Sequence, residues 1–142
     1  LGVQNLNKEW RLVQDLCLIN EAVVPIHPVV PNPYTLLTQI PEGTKWFTVL
    51  DLKDAFFCLQ LAPISQTIFA FQWGQSQYTW TRLPQGFKNS PTIFAEALAA
   101  DLKAYTPPDD NCTLLQYVDD LLLMAPTRKD CYWGTQGLPH LL

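Results

Sequence analysis

Charge is scarce in this sequence: 15% of its 142 residues are Asp, Glu, Lys or Arg, where soluble domains carry about 25%. Beside an apolar fraction of 48%, that shortfall points to a piece of a larger body, with apolar faces meant for neighbouring parts. Histidine is nearly missing. His27 and His140 stand apart from any serine or cysteine pattern, which leaves a histidine-activated nucleophile without support. The four cysteines, Cys17, Cys58, Cys112 and Cys131, form no C-x-x-C pair, so neither a zinc ribbon nor a disulfide framework is expected, and a reducing compartment fits. No apolar run reaches the ~18 residues of a membrane span, and the opening LGVQNLNKEW has no signal-peptide organisation. An intracellular protein that does not engage a membrane, or a fragment whose targeting parts lie elsewhere, is the expectation. Nine basic residues against 13 acidic ones leave a formal charge of −4, which by itself argues against a phosphate-binding surface.

What the chain does have is proline and short apolar runs. Twelve prolines punctuate it, and PIHPVVPNPY (25–34) reads as an extended or irregular connector. KWFTVLDL (45–52) has the β-branched and aromatic make-up of a buried strand ending near Asp51. TIFAFQW and YTWTRL read as two strands joined by a short turn at Gly74. NSPTIFAEALAADLKAY opens like a helix, with Ser90 as cap and Pro91 in the first turn, and Phe94, Leu98, Leu102 and Tyr105 form one apolar stripe. PPDDN (107–111) stops it, and strands follow on either side of Asp119 and Asp120. Antiparallel strands mixed with helices that pack on one sheet face make an α+β fold.

The acid pair sits in LLQYVDDLLLM (114–124), the most apolar run of the chain. Successive side chains of an extended strand point to opposite faces, so both carboxylates reach one site only if a tight turn separates LLQY from LLLM. Asp is also an ordinary turn residue. A second acid stretch, VLDLKDAFF, ends one apolar strand with Asp51 and sets Asp54 in the following turn, where Asp is also a common cap. Carboxylates at the ends of two apolar strands make a site for hard divalent cations, and two such ions can clamp the oxygens of a phosphoryl transfer.

Five blocks in this order, WRLVQDL, VPNPYTLL, FTVLDLKDAFFCLQL, TWTRLPQGFKNSPTIFAEAL and LLQYVDDLLL, resemble the retroviral reverse transcriptases, above all the gammaretrovirus type and its class I endogenous relatives. The resemblance covers nearly the whole chain. It implies partial fingers at 1–24 and 59–89 and partial palm at 25–58 and 90–142, truncated at both ends, without thumb, connection or ribonuclease H region. It implies an RNA-directed DNA polymerase with a catalytic and metal-binding triad, in which Asp51 and Asp119 are the principal ligands of two Mg2+ ions and Asp120 is the third acid, with Mn2+ as the alternative. Arg11, Asp54, Ala55, Phe56 and Gln85 match positions that contact the dNTP: Arg11 the triphosphate, the Asp54–Ala55 backbone its oxygens, Phe56 the sugar face that excludes a 2′-hydroxyl. Tyr117 and Val118 match positions beside the primer terminus. The implied partners are an RNA or DNA template-primer, dNTP and the rest of a pol polyprotein.

The chain departs from that pattern in places. Gln4, Asn5 and Leu6 replace a Q-K-P run whose lysine binds triphosphate, with Lys8 out of register. Cys17 stands where an arginine is expected, the finger hairpin QWGQSQYTW is short, and Gly137 and Pro139 fall where relatives continue a helix. The second functional reading is therefore a catalytically inactive endogenous polymerase remnant with at most a binding role.

Overall fold

Proline and glycine divide the chain into short elements, and the computed structural model describes residues 2–4, 9–26, 32–105 and 111–138. In order they are β1 (Gly2–Gln4), β2 (Trp10–Leu12), α1 (Cys17–Ala22), α2 (Pro33–Thr38), β3 (Trp46–Asp51), a 3-10 turn (Ala55–Cys58), α3 (Pro63–Gln66), a second 3-10 turn (Thr67–Phe69), β4 (Phe71–Trp73), β5 (Ser76–Tyr78), α4 (Ser90–Leu102), β6 (Thr113–Tyr117), β7 (Asp120–Ala125) and α5 (Arg128–Gly137). Two compact units share them: Leu1–His27 with Asp54–Pro91, and Pro28–Lys53 with Thr92–Leu142. The departures at Asn5, Leu6, Lys8 and Pro139, both histidines, and most of the expected helix stop (107–110) lie outside the described residues.

In the first unit β1 pairs antiparallel with β2, and β4 with β5. Ser76 lies opposite Trp73, so the β4–β5 turn is the two residues Gly74 and Gln75. Gly74 takes φ 63°, the left-handed first position that such hairpins reserve for glycine. That register makes β5 Ser76–Tyr78, which shares only Tyr78 with the expected YTWTRL strand. The expected TIFAFQW strand is also shorter, because Pro63 starts α3 at its first turn and Thr67–Phe69 continues it as a 3-10 turn. Phe69 is 1% exposed and meets Phe87 edge to face at 4.9 Å, with Leu16 and Leu83 also buried in this unit. Asp15 Oδ1 accepts from the Cys17 N–H at 3.0 Å at the start of α1. Hydrogen bonds from the Cys17 side chain and backbone hold the Asp15 carboxyl below its usual range, and Asp15 in turn pushes the Cys17 thiol up.

The second unit is built on a three-stranded antiparallel sheet in the order β3-β7-β6. Strand β7 is its middle strand, and Leu121, Leu123, Met124 and Ala125 are fully buried. Strand β3, expected to be buried, is an edge strand, with Phe47 51% and Val49 73% exposed. Its alternate residue Thr48 faces α5, with Oγ1 lying 3.2 Å from Cys131 Sγ and 2.8 Å from Thr135 Oγ1. An unbroken apolar run cannot reveal this two-sidedness, because alternation is the signal and it is absent. Of the connector expected over 25–34, residues 27–31 lie outside the described residues and the end enters α2: Asn32 Oδ1 accepts from the Tyr34 N–H at 2.9 Å and Pro33 takes the first helical position.

Helix α4 buries Phe94 and Leu98 as the stripe predicts. Ser90, expected to cap it, is fully buried and donates its hydroxyl to Pro84 O at 2.8 Å. Helix α5 is capped by Thr127 Oγ1, which accepts from the Asp130 N–H. Tyr105 OH donates to Gly134 O at 2.7 Å. A Cβ on Gly134 would stand 2.9 Å from Leu123 Cδ2 and 3.1 Å from Cys112 Sγ.

Two stability measurements follow from this packing. Gly134→Ala should lower the urea unfolding free energy by about 1–3 kcal/mol through overpacking, although alanine is the better helix former by ~1 kcal/mol. Burial, then the nearby Cys112 thiol, raises the Tyr105 phenol above its ordinary value. A folded-state pKa above the unfolded one makes that contribution complete below the unfolded value of about 10 and lost as pH climbs through the folded value. Tyr105→Phe should cost about 1 kcal/mol at neutral pH and fall less steeply than wild type in alkaline urea titrations.

Candidate active site

The sheet register assembles the acids of the second unit. Asp51, the last residue of β3, lies directly opposite Asp120, the first of β7. Direct partners on antiparallel strands project from the same face with Cβ atoms roughly 5 Å apart. Asp120 is also opposite Tyr117, so the β6–β7 connection is the two residues Val118 and Asp119. Asp51 and Asp120 are exposed and Asp119 is half-buried. On the same sheet face, Tyr117 and Asp120 border a cavity of about 210 Å³ whose apolar wall includes Leu36, Leu37, Val49 and Leu122.

Val118 has φ 55°. It occupies the turn position that glycine fills in the β4–β5 hairpin, and a β-branched residue there is a conformational outlier. Among the described residues Val118 and Asp54 (φ 51°) are the two non-glycines with positive φ. One precedes Asp119 and the other follows Asp51 by three residues, in keeping with strain gathering at functional sites. The turn is braced by Gln116, whose Nε2 donates to Val118 O at 3.1 Å and to Ala95 O at 3.0 Å. Gln116 was not among the expected site residues; its one signal was an amide inside an apolar strand.

The remaining expected residues belong to the first unit. Arg11 is exposed on β2, opposite Val3 in register. Asp54 opens the Ala55–Cys58 turn, its carbonyl accepting from the Phe57 N–H at 3.0 Å; Ala55 is buried and Phe56 half-buried. Phe57 stacks on Trp80 at 5.8 Å, and Trp80 Nε1 donates to Gln14 Oε1 at 2.8 Å. That chain of contacts ties the segment after Arg11 to the turn carrying Phe56. Gln85 is half-buried before Gly86, whose carbonyl accepts from Asn20 Nδ2 at 2.9 Å while Asn20 Oδ1 accepts from the Lys88 N–H at 2.8 Å. Asn89, 5% exposed, bonds Ile26 N and Val24 O. Gln14, Asn20 and Asn89 were missed because their partners lie 63 to 68 residues away, beyond any local pattern.

The acid set suits a hard cation in its donor chemistry, since carboxylate oxygens are the ligands Mg2+ prefers. Among the described residues, no three His, Cys, Asp or Glu side chains group closely enough to hold an ion by themselves. Mg2+ is usually held by one or two carboxylates together with water and substrate phosphates. The facing pair Asp51 and Asp120, with Asp119 next in the chain, fits such an open site.

Comparison with known proteins gives three concordant findings. Residues 3–141 match the family model described as reverse transcriptase (RNA-dependent DNA polymerase). The Gag-Pol polyprotein of baboon endogenous virus (strain M7) is 59% identical over 141 residues, covering 95% of this chain and 8% of that polyprotein. The chain therefore spans less than a tenth of that relative. Among solved structures, the prototype foamy virus protease-reverse transcriptase superposes with a TM-score of 0.79 at 30% identity, covering 99% of this chain and 18% of the other. The foamy viral protease-reverse transcriptase in complex with RNA/DNA hybrid gives 0.70 at 31% identity over 91% of this chain and 16% of that one.

The strained turn yields a direct test. Val118→Gly should raise the urea unfolding free energy by about 0.5–1 kcal/mol, the left-handed penalty removed less the extra chain entropy of glycine. A fall of similar size would show that the turn carries no strain.

Proposed function

Because the chain belongs to the reverse transcriptase (RNA-dependent DNA polymerase) family, we propose that it is the fingers and palm part of a retroviral polymerase that joins dNTPs to a primer 3′-hydroxyl on an RNA or DNA template. In this reading residues 1–24 and 59–89 are fingers, 25–58 and 90–142 palm, and the working enzyme includes further parts of a pol polyprotein. The observation that carries it is the register of Asp51 opposite Asp120 with Asp119 in the adjoining turn. Complexes of the foamy viral relatives with dsDNA and with RNA/DNA hybrid support the template-primer as partner.

Polymerases of this family depend on divalent metal ions. Bound Mg2+, or Mn2+ in its place, supplies Lewis-acid charge that lowers the pKa of the primer hydroxyl and neutralises the triphosphate. Asp51, Asp119 and Asp120 hold that charge at the end of the sheet, and their own negative charge repels the triphosphate unless a cation intervenes. Arg11 pairs with the triphosphate, to which its fork of N–H donors is matched. The backbone N–H groups of Asp54 and Ala55 donate to phosphate oxygens, and Gln85 contacts the incoming nucleotide. The ring of Phe56 lies under the sugar and excludes a 2′-hydroxyl by volume. Tyr117 and Val118 flank the primer terminus, where the strained turn keeps a small side chain beside the reacting ends.

Primer extension with the purified chain, an RNA template with DNA primer, and Mg2+ tests this. Wild-type chain should add dNTP weakly and without processivity, since the working enzyme includes further parts, and Asp119→Asn should lose at least about a hundredfold of that incorporation, the scale for removing a group that stabilises transition-state charge. Incorporation unchanged by that substitution would overturn the assignment. A folded chain without any Mg2+-dependent incorporation would instead support the remnant reading.

A further inference from the structure

We infer that Gln116 is a positioning residue for the acid hairpin, fastening the strained Val118–Asp119 turn to helix α4; the inference rests on reading Asp51, Asp119 and Asp120 as cation ligands. The turn cannot hold its shape by local preference alone. Val118 sits at φ 55°, a region that costs an L-residue roughly 1–2 kcal/mol, and such conformations persist only where surrounding contacts over-determine them. Gln116 supplies the contact. Its Nε2 carries two hydrogens, and it has two acceptors: Val118 O at 3.1 Å and Ala95 O at 3.0 Å.

Each acceptor has a separate consequence. Ala95 lies inside α4, a helix of 13 residues, and a carbonyl oxygen has a spare lone pair for a bond from outside the helix. The helix is therefore a fixed post for the amide. Val118 O belongs to the peptide that joins Val118 to Asp119, so orienting that carbonyl orients the plane from which the Asp119 backbone departs. The amide also stands on the far side of the sheet from the facing carboxylates. Gln116 pairs with Leu121, which is fully buried, while its neighbour Tyr117 pairs with Asp120. Consecutive strand residues point to opposite faces. Gln116 consequently acts through the backbone and not as a ligand of an ion bound at Asp51 and Asp120.

Methionine at this position keeps the length and removes both donors. Asparagine keeps the amide on a shorter stem. The experiment compares wild type, Gln116→Met, Gln116→Asn and Asp119→Asn as the full chain, by amide hydrogen exchange and by Mn2+ binding followed with electron paramagnetic resonance. Gln116→Met should speed exchange at Asp119 and Asp120 and weaken Mn2+ binding, each by about tenfold, the upper scale of one hydrogen bond. Exchange along α5 should stay at the wild-type rate, and Gln116→Asn should fall between the two. Should Gln116→Met fail to fold, Gln116→Asn carries the same comparison. Unchanged exchange at Asp119 and Asp120, or an equal rise throughout 92–138, overturns the inference. So does Mn2+ affinity equal in wild type and both Gln116 variants, with Asp119→Asn alone abolishing binding, an outcome that leaves the cation reading intact. Local loosening in a chain whose wild type binds no Mn2+ upholds the anchoring of the turn and removes the cation reading.

Discussion

The in-register pairing of β3 with β7 is the constraint on which the rest of the candidate site depends. Six consecutive pairs, from Trp46 opposite Ala125 to Asp51 opposite Asp120, bring together carboxylates far apart in the chain. A slip of one residue would turn every side chain of β3 to the other face. Asp51 would then point away from Asp120, and Thr48 would leave Cys131 and Thr135. The register is therefore held from the helix side, by Thr48 against α5 and by the buried Leu121, Leu123 and Ala125 of β7, while its consequence appears on the opposite side.

That consequence is electrostatic. Like charges directly across two strands destabilise a sheet, and Asp51 and Asp120 are such a pair. The distribution of charge makes the point on a larger scale. The first unit has four acidic and four basic residues, whereas the second has nine acidic and five basic, so the whole formal charge of −4 lies in the unit that carries the acids. A low pI over the full chain thus records a local concentration of carboxylates. It says little about whether other surfaces meet phosphate.

Strain and bracing complete the arrangement. The two tight hairpins place a residue of positive φ at the first turn position, glycine in β4–β5 and valine in β6–β7. Glycine accepts that conformation freely, and valine needs help from outside the turn. The help comes from an amide, as it does elsewhere: Gln116 for the acid turn, Asn20 for the loop after Gln85, Gln14 for the aromatic stack behind Phe56. Amides suit this work because each offers donors and an acceptor without adding a charge.

Much of this could be read without coordinates. Apolar runs marked β3, β6 and β7, the stripe of α4 marked its buried face, and the acid pair demanded a tight turn, because each of these is a property of neighbours along the chain. Other features escaped. The edge position of β3 was hidden because an unbroken apolar run looks the same at the edge of a sheet and at its centre. The start of β5 depended on where its partner strand ended. The PIHPVVPNPY stretch looked extended, yet Asn32 and Pro33 start a helix there. The sequence by itself determined which residues could carry the chemistry, since carboxylates, a small turn residue and ordered motifs are chemical identities. Only the tertiary structure decided that Asp51 faces Asp120 and that Gln116 stands behind them, because strand register and side-chain reach arise between segments that local periodicity cannot connect.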